Sequence, residues 1–406
     1  MEFRRPKPIS DRQKDVIAKT AQYSAHHYDS LPVVMHAGKG SKLYDLDGNE
    51  YIDMLAGYSV VNFGHGNSRL NEVMLRQMGK GTIFSNVAYN RTYAEFCEEL
   101  VSFTCIAGRA LIMNSGAEAV EKAIKLARKW GYVRKGVERD RAEIIVTNSN
   151  FHGRTMGVLS ASPVAKYRMG FGPFLPGFVQ VPFGSTEHLK EAITLNTVAF
   201  LVEPVQGEGG FMFPPAGYFQ EVVKLCQAND VLLILDEIPT AFGRTGYNFP
   251  HEADGIVPDV LILGKALGGG LVPVSAVVAK EEVISVLGPG HDGSTFGGNP
   301  LACAVGSAVL DLIQDNNWAE EASEKGEYFL KKLEELGMTV RGRGLFIGVE
   351  LTSAYDAHRV CVELLAEGIF TINARRNVVR FTPPFVVSLE EIDYTVEAFR
   401  RVLRIT

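Results

Sequence analysis

The chain has 406 residues, 46% of them hydrophobic and 22% charged, with a formal net charge of −6. That length and balance suit a large α/β domain with a smaller companion. They provide no basic field for nucleic acid, and no apolar run approaches the length of a membrane span.

The first residues, MEFRRPKPISDRQKDV, are charged and contain no apolar secretory core. Arg4, Arg5 and Lys7 suit a transit peptide, whereas Glu2, Asp11 and Asp15 argue against one, so a cytoplasmic protein is expected. The five cysteines, Cys97, Cys105, Cys226, Cys303 and Cys361, are scattered without a C-x-x-C. They read as buried thiols in a reducing compartment.

Along the chain, KLYDLDGNEYIDML (Lys42–Leu55) sets Asp-Gly between two alternating runs and predicts a β-hairpin. In LIMNSGAEAVEKAIKLARKWGY, residues Asn114, Ser115, Gly116 and Ala117 precede a strong helical pattern. AEIIVTN (Ala142–Asn148), VAFLVEP (Val198–Pro204), VLLILDE (Val231–Glu237), DVLILGK (Asp259–Lys265) and PVSAVVAK (Pro273–Lys280) read as strands buried on both faces. Such near-continuous apolar runs mark parallel sheets covered by helices. Helical stretches such as Gly217–Asp230 lie between them, which gives a doubly wound α/β core. From about Ala304, an amphipathic helix (Glu320–Leu336) precedes short strands around Gly344–Leu351 and Val378–Pro384. The expected division is a large domain over 61–303, and a smaller α+β unit built from 1–60 and 304–406.

In an open parallel sheet, ligands bind beyond the carboxyl ends of the strands. Asp236 ends one expected strand, Lys265 follows the next in LILGKALGGG, and Glu203 and Glu208 follow a third in VEPVQGEGG. Taken singly, Asp236 reads as a cap or turn former and Lys265 as a solvated loop lysine. Together they suggest more. A buried carboxylate holds a heterocyclic nitrogen protonated, and a lysine in an apolar, glycine-rich pocket has a lowered pKa and forms a Schiff base. Pyridoxal phosphate needs both. Its phosphate needs a cradle, which the Ser115–Ala117 start of a helix supplies, although Ser115 also reads as an ordinary N-cap. A second small-residue loop, HDGSTFGGNP, adds the hydroxyls of Ser294 and Thr295. No metal is expected.

NSGAEAVEKAIKLAR, the D-E-I-x-T-x-x-G-R-T-G stretch, LGKALGGG and GSTFGGNP resemble the class III aminotransferases of the type I pyridoxal-phosphate fold. YSAHHYDSLPVV, LARKWGYVRKG, FHGRTMGVLSAS, GFGPFLPGF, EPVQGEGG and VVRFTPP resemble the branch of that class acting on the δ-amine of ornithine, and the likeness runs through nearly the whole chain. The resemblance implies that Lys265 carries the cofactor and shuttles the proton, and that Asp236 pairs with the ring nitrogen. It further implies that Ile238 packs under the ring, that Phe151 stacks over it, and that Gly116 and Ala117 bind the phosphate. Thr295, with Ser294, would reach the phosphate of a partner subunit, which implies a homodimer. Arg154 would hold the distal carboxylate, and Arg380 the α-carboxylate of glutamate or 2-oxoglutarate, each by a two-point grip. Glu208 would mask Arg380 during the ornithine half. Tyr58 and Tyr89 would line the ornithine side. The implied partners are an amino acid and a 2-oxo acid.

The chain also departs from that pattern. Pro239 stands where the family has a glutamine that donates to the ring's phenolic oxygen, and proline has no donor to offer. Ala241 stands where the family has glycine. The loop FSNVAYN (Phe84–Asn90) lacks an arginine after its serine, and GHGNS (Gly64–Ser68) lacks the usual His-Pro ending. Another ω-aminotransferase (for acetylornithine, 4-aminobutyrate or diaminobutyrate), an amino-acid racemase of this fold, and a non-catalytic protein of this fold are the rival readings.

Overall fold

The computed structural model describes residues 5–84 and 86–405. Glu2 and Arg4 in the leader question, and Ser85 in the Phe84–Asn90 loop, lie outside the described residues. Among the described residues the strands in chain order are β1 (Met35–Lys39), β2 (Lys42–Asp45), β3 (Glu50–Asp53), β4 (Gly108–Met113), β5 (Glu143–Thr147), β6 (Phe178–Val181), β7 (Thr197–Val202), β8 (Leu232–Asp236), β9 (Val260–Leu263), β10 (Ser275–Lys280), β11 (Thr339–Arg343), β12 (Phe346–Glu350), β13 (Ile369–Phe370), β14 (Asn373–Ala374) and β15 (Val378–Phe381).

Seven of them form the central sheet, in the order β4-β10-β9-β8-β7-β5-β6. Pairs β9/β8, β8/β7, β7/β5 and β5/β6 are parallel. Their apolar runs are continuous because alternate side chains feed two separate cores. Ile145, Phe200, Leu233, Leu235 and Leu261 enter one. Ile144, Val146, Leu201, Ile234 and Ile262 enter the other, with Ala119, Val120, Ala123 and Ile124 of the helix Gly116–Trp130. Period-two alternation with both faces covered leaves no polar side to the strand.

Two features differ from the sequence expectation. Pro273–Lys280 was expected to join a parallel sheet, but β10 runs antiparallel to both β9 and β4. Between Leu263 and Ser275 the chain has only a 3-10 turn at Lys265–Gly268. A parallel return needs a crossover of a dozen residues or more, usually a helix, so the chain doubles back instead. The sequence reading also omitted β4 and β6. In β4 the run is diluted by Gly108 and Arg109, and β6 has only four residues.

The hairpin expected around Asp47-Gly48 forms, with Leu43 opposite Tyr51 and Tyr44 opposite Glu50. β3 pairs in parallel with β13, Ile52 beside Ile369, so the first sheet joins chain segments from both ends. The third sheet, β11-β12-β15-β14, is antiparallel and carries Arg380 on β15. Among the described residues, no helix is long and apolar enough to cross a membrane.

Candidate active site

The parallel strands aim their carboxyl ends at one edge, and the chemistry-bearing residues gather there. Asp236 is the last residue of β8 and is 2% exposed. Its Oδ1 accepts from the Ile238 N–H at 3.2 Å, and its Oδ2 meets His152 Nδ1 at 2.7 Å. His152 is fully buried as a side chain. Burial opposes its charge, but the hydrogen bond and charge of Asp236 prevail and raise its pKa. The carboxylate is therefore backed by a proton-holding imidazole on the side away from Ile238.

Lys265 follows β9 through Gly264 and takes a left-handed φ of 47°. A lysine held there is strained, and such strain collects at functional sites. Its Nζ has no hydrogen-bond or ion-pair partner among the described residues. Burial, then the nearby Arg380 charge, lowers the ammonium to about 8 against the pull of Glu208, Asp236 and Glu203. Asp236 lies opposite Ile262 of the neighbouring β9, and Gly264, just before Lys265, abuts the Ile238 side chain, so Lys265 and Asp236 stand at the same strand edge.

Beside them, β4 runs into the helix Gly116–Trp130. Ser115 caps it, accepting from the Glu118 N–H, while the Glu118 carboxylate takes the N–H groups of Asn114 and Ser115. Among the described residues, this capping box leaves the first-turn N–H groups of Gly116 and Ala117 without partners. The Ser275 hydroxyl ties the turn to β10 by donating to Ser115 O at 2.7 Å. A Cβ on Gly116 would stand 2.9 Å from Ile238 Cδ1, so glycine leaves Ile238 room between Gly116 and Gly264.

The family described as aminotransferase class III matches residues 23–403. The chain belongs to the class III aminotransferases. An ornithine aminotransferase of Brevibacillus brevis is 46% identical over 397 residues, 96% of this chain and 98% of its own. One from Bacillus subtilis is 46% identical over 399 residues, 97% of this chain and 98% of its own. The crystal structure of the ornithine aminotransferase from Toxoplasma gondii ME49 superposes with a TM-score of 0.94 at 39% identity, covering 97% of this chain and 95% of that one. The protein is a pyridoxal-phosphate-dependent aminotransferase with the type I fold.

The donor set of this aminotransferase fits that cofactor. A desolvated amine without a partner, a buried carboxylate backed by histidine, and two free helix-end amides offer an imine site, a ring-nitrogen partner and a phosphate cradle. Phe151 stands near them, its N–H held by Glu203 Oε2 at 3.0 Å and its ring set edge-on to Tyr167.

On the substrate side, Arg380 is 4% exposed and its Nη2 meets Glu208 Oε1 at 2.5 Å. Burial opposes the Glu208 charge, but the Arg380 guanidinium prevails and holds its pKa low. Arg380 also lies 5.0 Å from the Tyr58 ring centroid. Ala56, Gly57, Tyr58 and Ser59 all take left-handed φ values, a strained turn that presents this ring. Arg154 is exposed and without an acidic partner among the described residues, its guanidinium 3.7 Å from the Tyr167 ring centroid and 5.7 Å from that of Phe151.

Two expected residues turn outward from this cluster. Tyr89 points fully into solvent and Thr295 is exposed. Ser294 Oγ accepts from Asn114 Nδ2 at 3.2 Å and from the Gly297 N–H at 2.9 Å, so it secures its own loop within the chain. Sequence reasoning missed His152, although it sits inside the quoted FHGRT, and it missed Arg375. It placed Glu203 at the edge without a role. No group of His, Cys, Asp and Glu suited to a metal ion occurs among the described residues.

Proposed function

We propose that this aminotransferase moves the δ-amino group of L-ornithine to 2-oxoglutarate, yielding L-glutamate and glutamate 5-semialdehyde, which closes to pyrroline-5-carboxylate. Bound pyridoxal 5′-phosphate supplies the carbonyl that accepts the amino group and the cationic ring that stabilises the carbanion. Gly116 and Ala117 hold the phosphate by their N–H groups. Asp236, backed by His152, keeps the ring nitrogen protonated. Ile238 and Phe151 would pack against the cofactor ring. The Lys265 amine, whose pKa burial has lowered to about 8, gives up its proton more readily than an ordinary lysine, takes the proton from the substrate Cδ and later returns one.

One observation carries the choice of substrate: the Glu208 carboxylate is closed on Arg380. With that latch shut, the carboxylate receptor left at the site among the described residues is Arg154. A diamino acid then docks its α-carboxylate at Arg154, with Tyr58 along its stem, and presents its far amine to Lys265. Opening the latch frees Arg380 for the α-carboxylate of 2-oxoglutarate or glutamate, while Arg154 takes the distal one. The test is turnover with 2-oxoglutarate and L-ornithine, N-acetylornithine or 4-aminobutyrate. L-ornithine should have the highest kcat/KM, with pyrroline-5-carboxylate as product; a preference for either other donor contradicts the reading.

The working unit in this reading is a homodimer in which exposed Thr295, with Ser294, reaches the partner's phosphate. The outward placement of Thr295, Phe296 and Val87 supports it, and sedimentation tests it. Residues 61–303 act as the cofactor domain, and 1–60 with 304–406 as the smaller one; the β3/β13 pairing supports that division. Five unpaired cysteines suit a cytoplasmic location, which cell fractionation checks.

A further inference from the structure

Arg375 lies in the turn between β14 and β15, on the hairpin that also carries Arg380. Its guanidinium forms no ion pair among the described residues. It donates instead to three backbone carbonyls: Nε to Glu208 O at 2.9 Å, and Nη2 to Ser149 O at 2.7 Å and Asn150 O at 3.0 Å. Those carbonyls belong to the loops that follow β7 and β5 at the active-site edge. One bears Glu208 and the other leads into Phe151. The neighbours reinforce the grip: Arg341 Nε donates to Gly210 O at 3.2 Å, and Arg376 Nη2 to Ser149 Oγ at 3.3 Å. A Cβ on Gly210 would lie 3.2 Å from Arg375 O, and one on Gly207 would lie 2.7 Å from Phe346 Cζ, so the Glu208 loop presses against the third sheet on both sides of Glu208.

We infer that Arg375 is a specificity-determining positioning residue, pinning the Glu208 backbone so that the Glu208 carboxylate closes on Arg380 and opens by side-chain rotation alone. The inference rests on the reading that Glu208 masks Arg380 during the ornithine half. With its carbonyl fixed by Arg375 and its carboxylate on Arg380, Glu208 is held at both ends from one hairpin. The loop then has no need to move when a diacid arrives; only the side chain turns away. Release of the backbone would let the carboxylate wander. Arg380 would then stand open to the α-carboxylate of either substrate, and ornithine would bind in the wrong sense. A planar fork spanning two loops is a task lysine cannot perform with its point charge.

The test uses single-turnover half-reactions of the holoenzyme with L-ornithine and, separately, L-glutamate, for the wild type, Arg375→Lys and Arg375→Met. In both variants kcat/KM for ornithine relative to glutamate should fall about tenfold, with KM for glutamate lowered and its kcat unchanged. A purely structural role would weaken both substrates together. An unchanged ratio in Arg375→Lys overturns the assignment, and that variant decides alone if Arg375→Met does not fold. A wild type inert toward ornithine sinks the functional reading instead. The glutamate arm still judges Arg375 in that case: a lowered KM supports it, and an unchanged or raised KM overturns it.

Discussion

Glu203 lies directly after β7, 2% exposed, its Oε2 accepting from the Phe151 N–H. Burial pushes its carboxyl up to about 8, with His152 opposing and Asp236 adding. The sign follows from linkage. A carboxyl whose folded pKa lies above its unfolded value of 4.5 binds more protons in the fold than out of it, so its contribution is intact below pH 4.5 and is lost as pH rises toward 8. Each pH unit in that window costs about 1.4 kcal/mol, so wild type gives up about 3 kcal/mol between pH 4.5 and 7. Glutamine has the shape of the protonated acid and still accepts the Phe151 N–H, but it never ionises. Glu203→Gln should therefore match wild type to within about 1 kcal/mol at pH 5 and exceed it by about 3 kcal/mol at pH 7. Urea unfolding of the cofactor-free proteins at several pH values reads this directly. Stability differences that stay flat from pH 5 to 8 would refute a neutral Glu203.

Three further outcomes are expected. Since the Lys265 ammonium is lowered to about 8, covalent uptake of pyridoxal phosphate by the cofactor-free protein should rise about tenfold per pH unit below pH 8 and then level off; a pH-independent rate followed by absorbance contradicts it. Arg244 is fully buried and donates to Leu345 O at 3.0 Å, Pro383 O at 2.6 Å and the Asn62 side chain. Arg244→Met strands all three acceptors and should cost about 3 kcal/mol or more in urea unfolding; a loss under about 1 kcal/mol would mean the site repairs itself. Pro239→Gln adds a donor that proline lacks, and should shift the pH of the cofactor's absorbance change and tighten cofactor retention; an unchanged titration counts against that view.

Asp236 and Lys265 are legible in the sequence because each ends an apolar run, and parallel strands bring such ends together. Ser115–Ala117 are legible because a helix start announces itself by its cap and periodicity. His152 is not, since its partner Asp236 lies 84 residues away and no local pattern pairs a histidine with a carboxylate at that distance. Arg375 is harder still: it binds backbone carbonyls, which carry no side-chain identity in the sequence. The reversed β10 depends on a link whose length is readable but whose turn at Lys265–Gly268 is not.

The claim beneath all of this is that Lys265 holds the cofactor. Borohydride reduction of the holoenzyme followed by peptide mass mapping tests it most directly. A pyridoxyl group on the peptide containing Lys265, absent after Lys265→Ala, is the predicted result; modification of a different lysine, or none with the cofactor bound, would contradict the account.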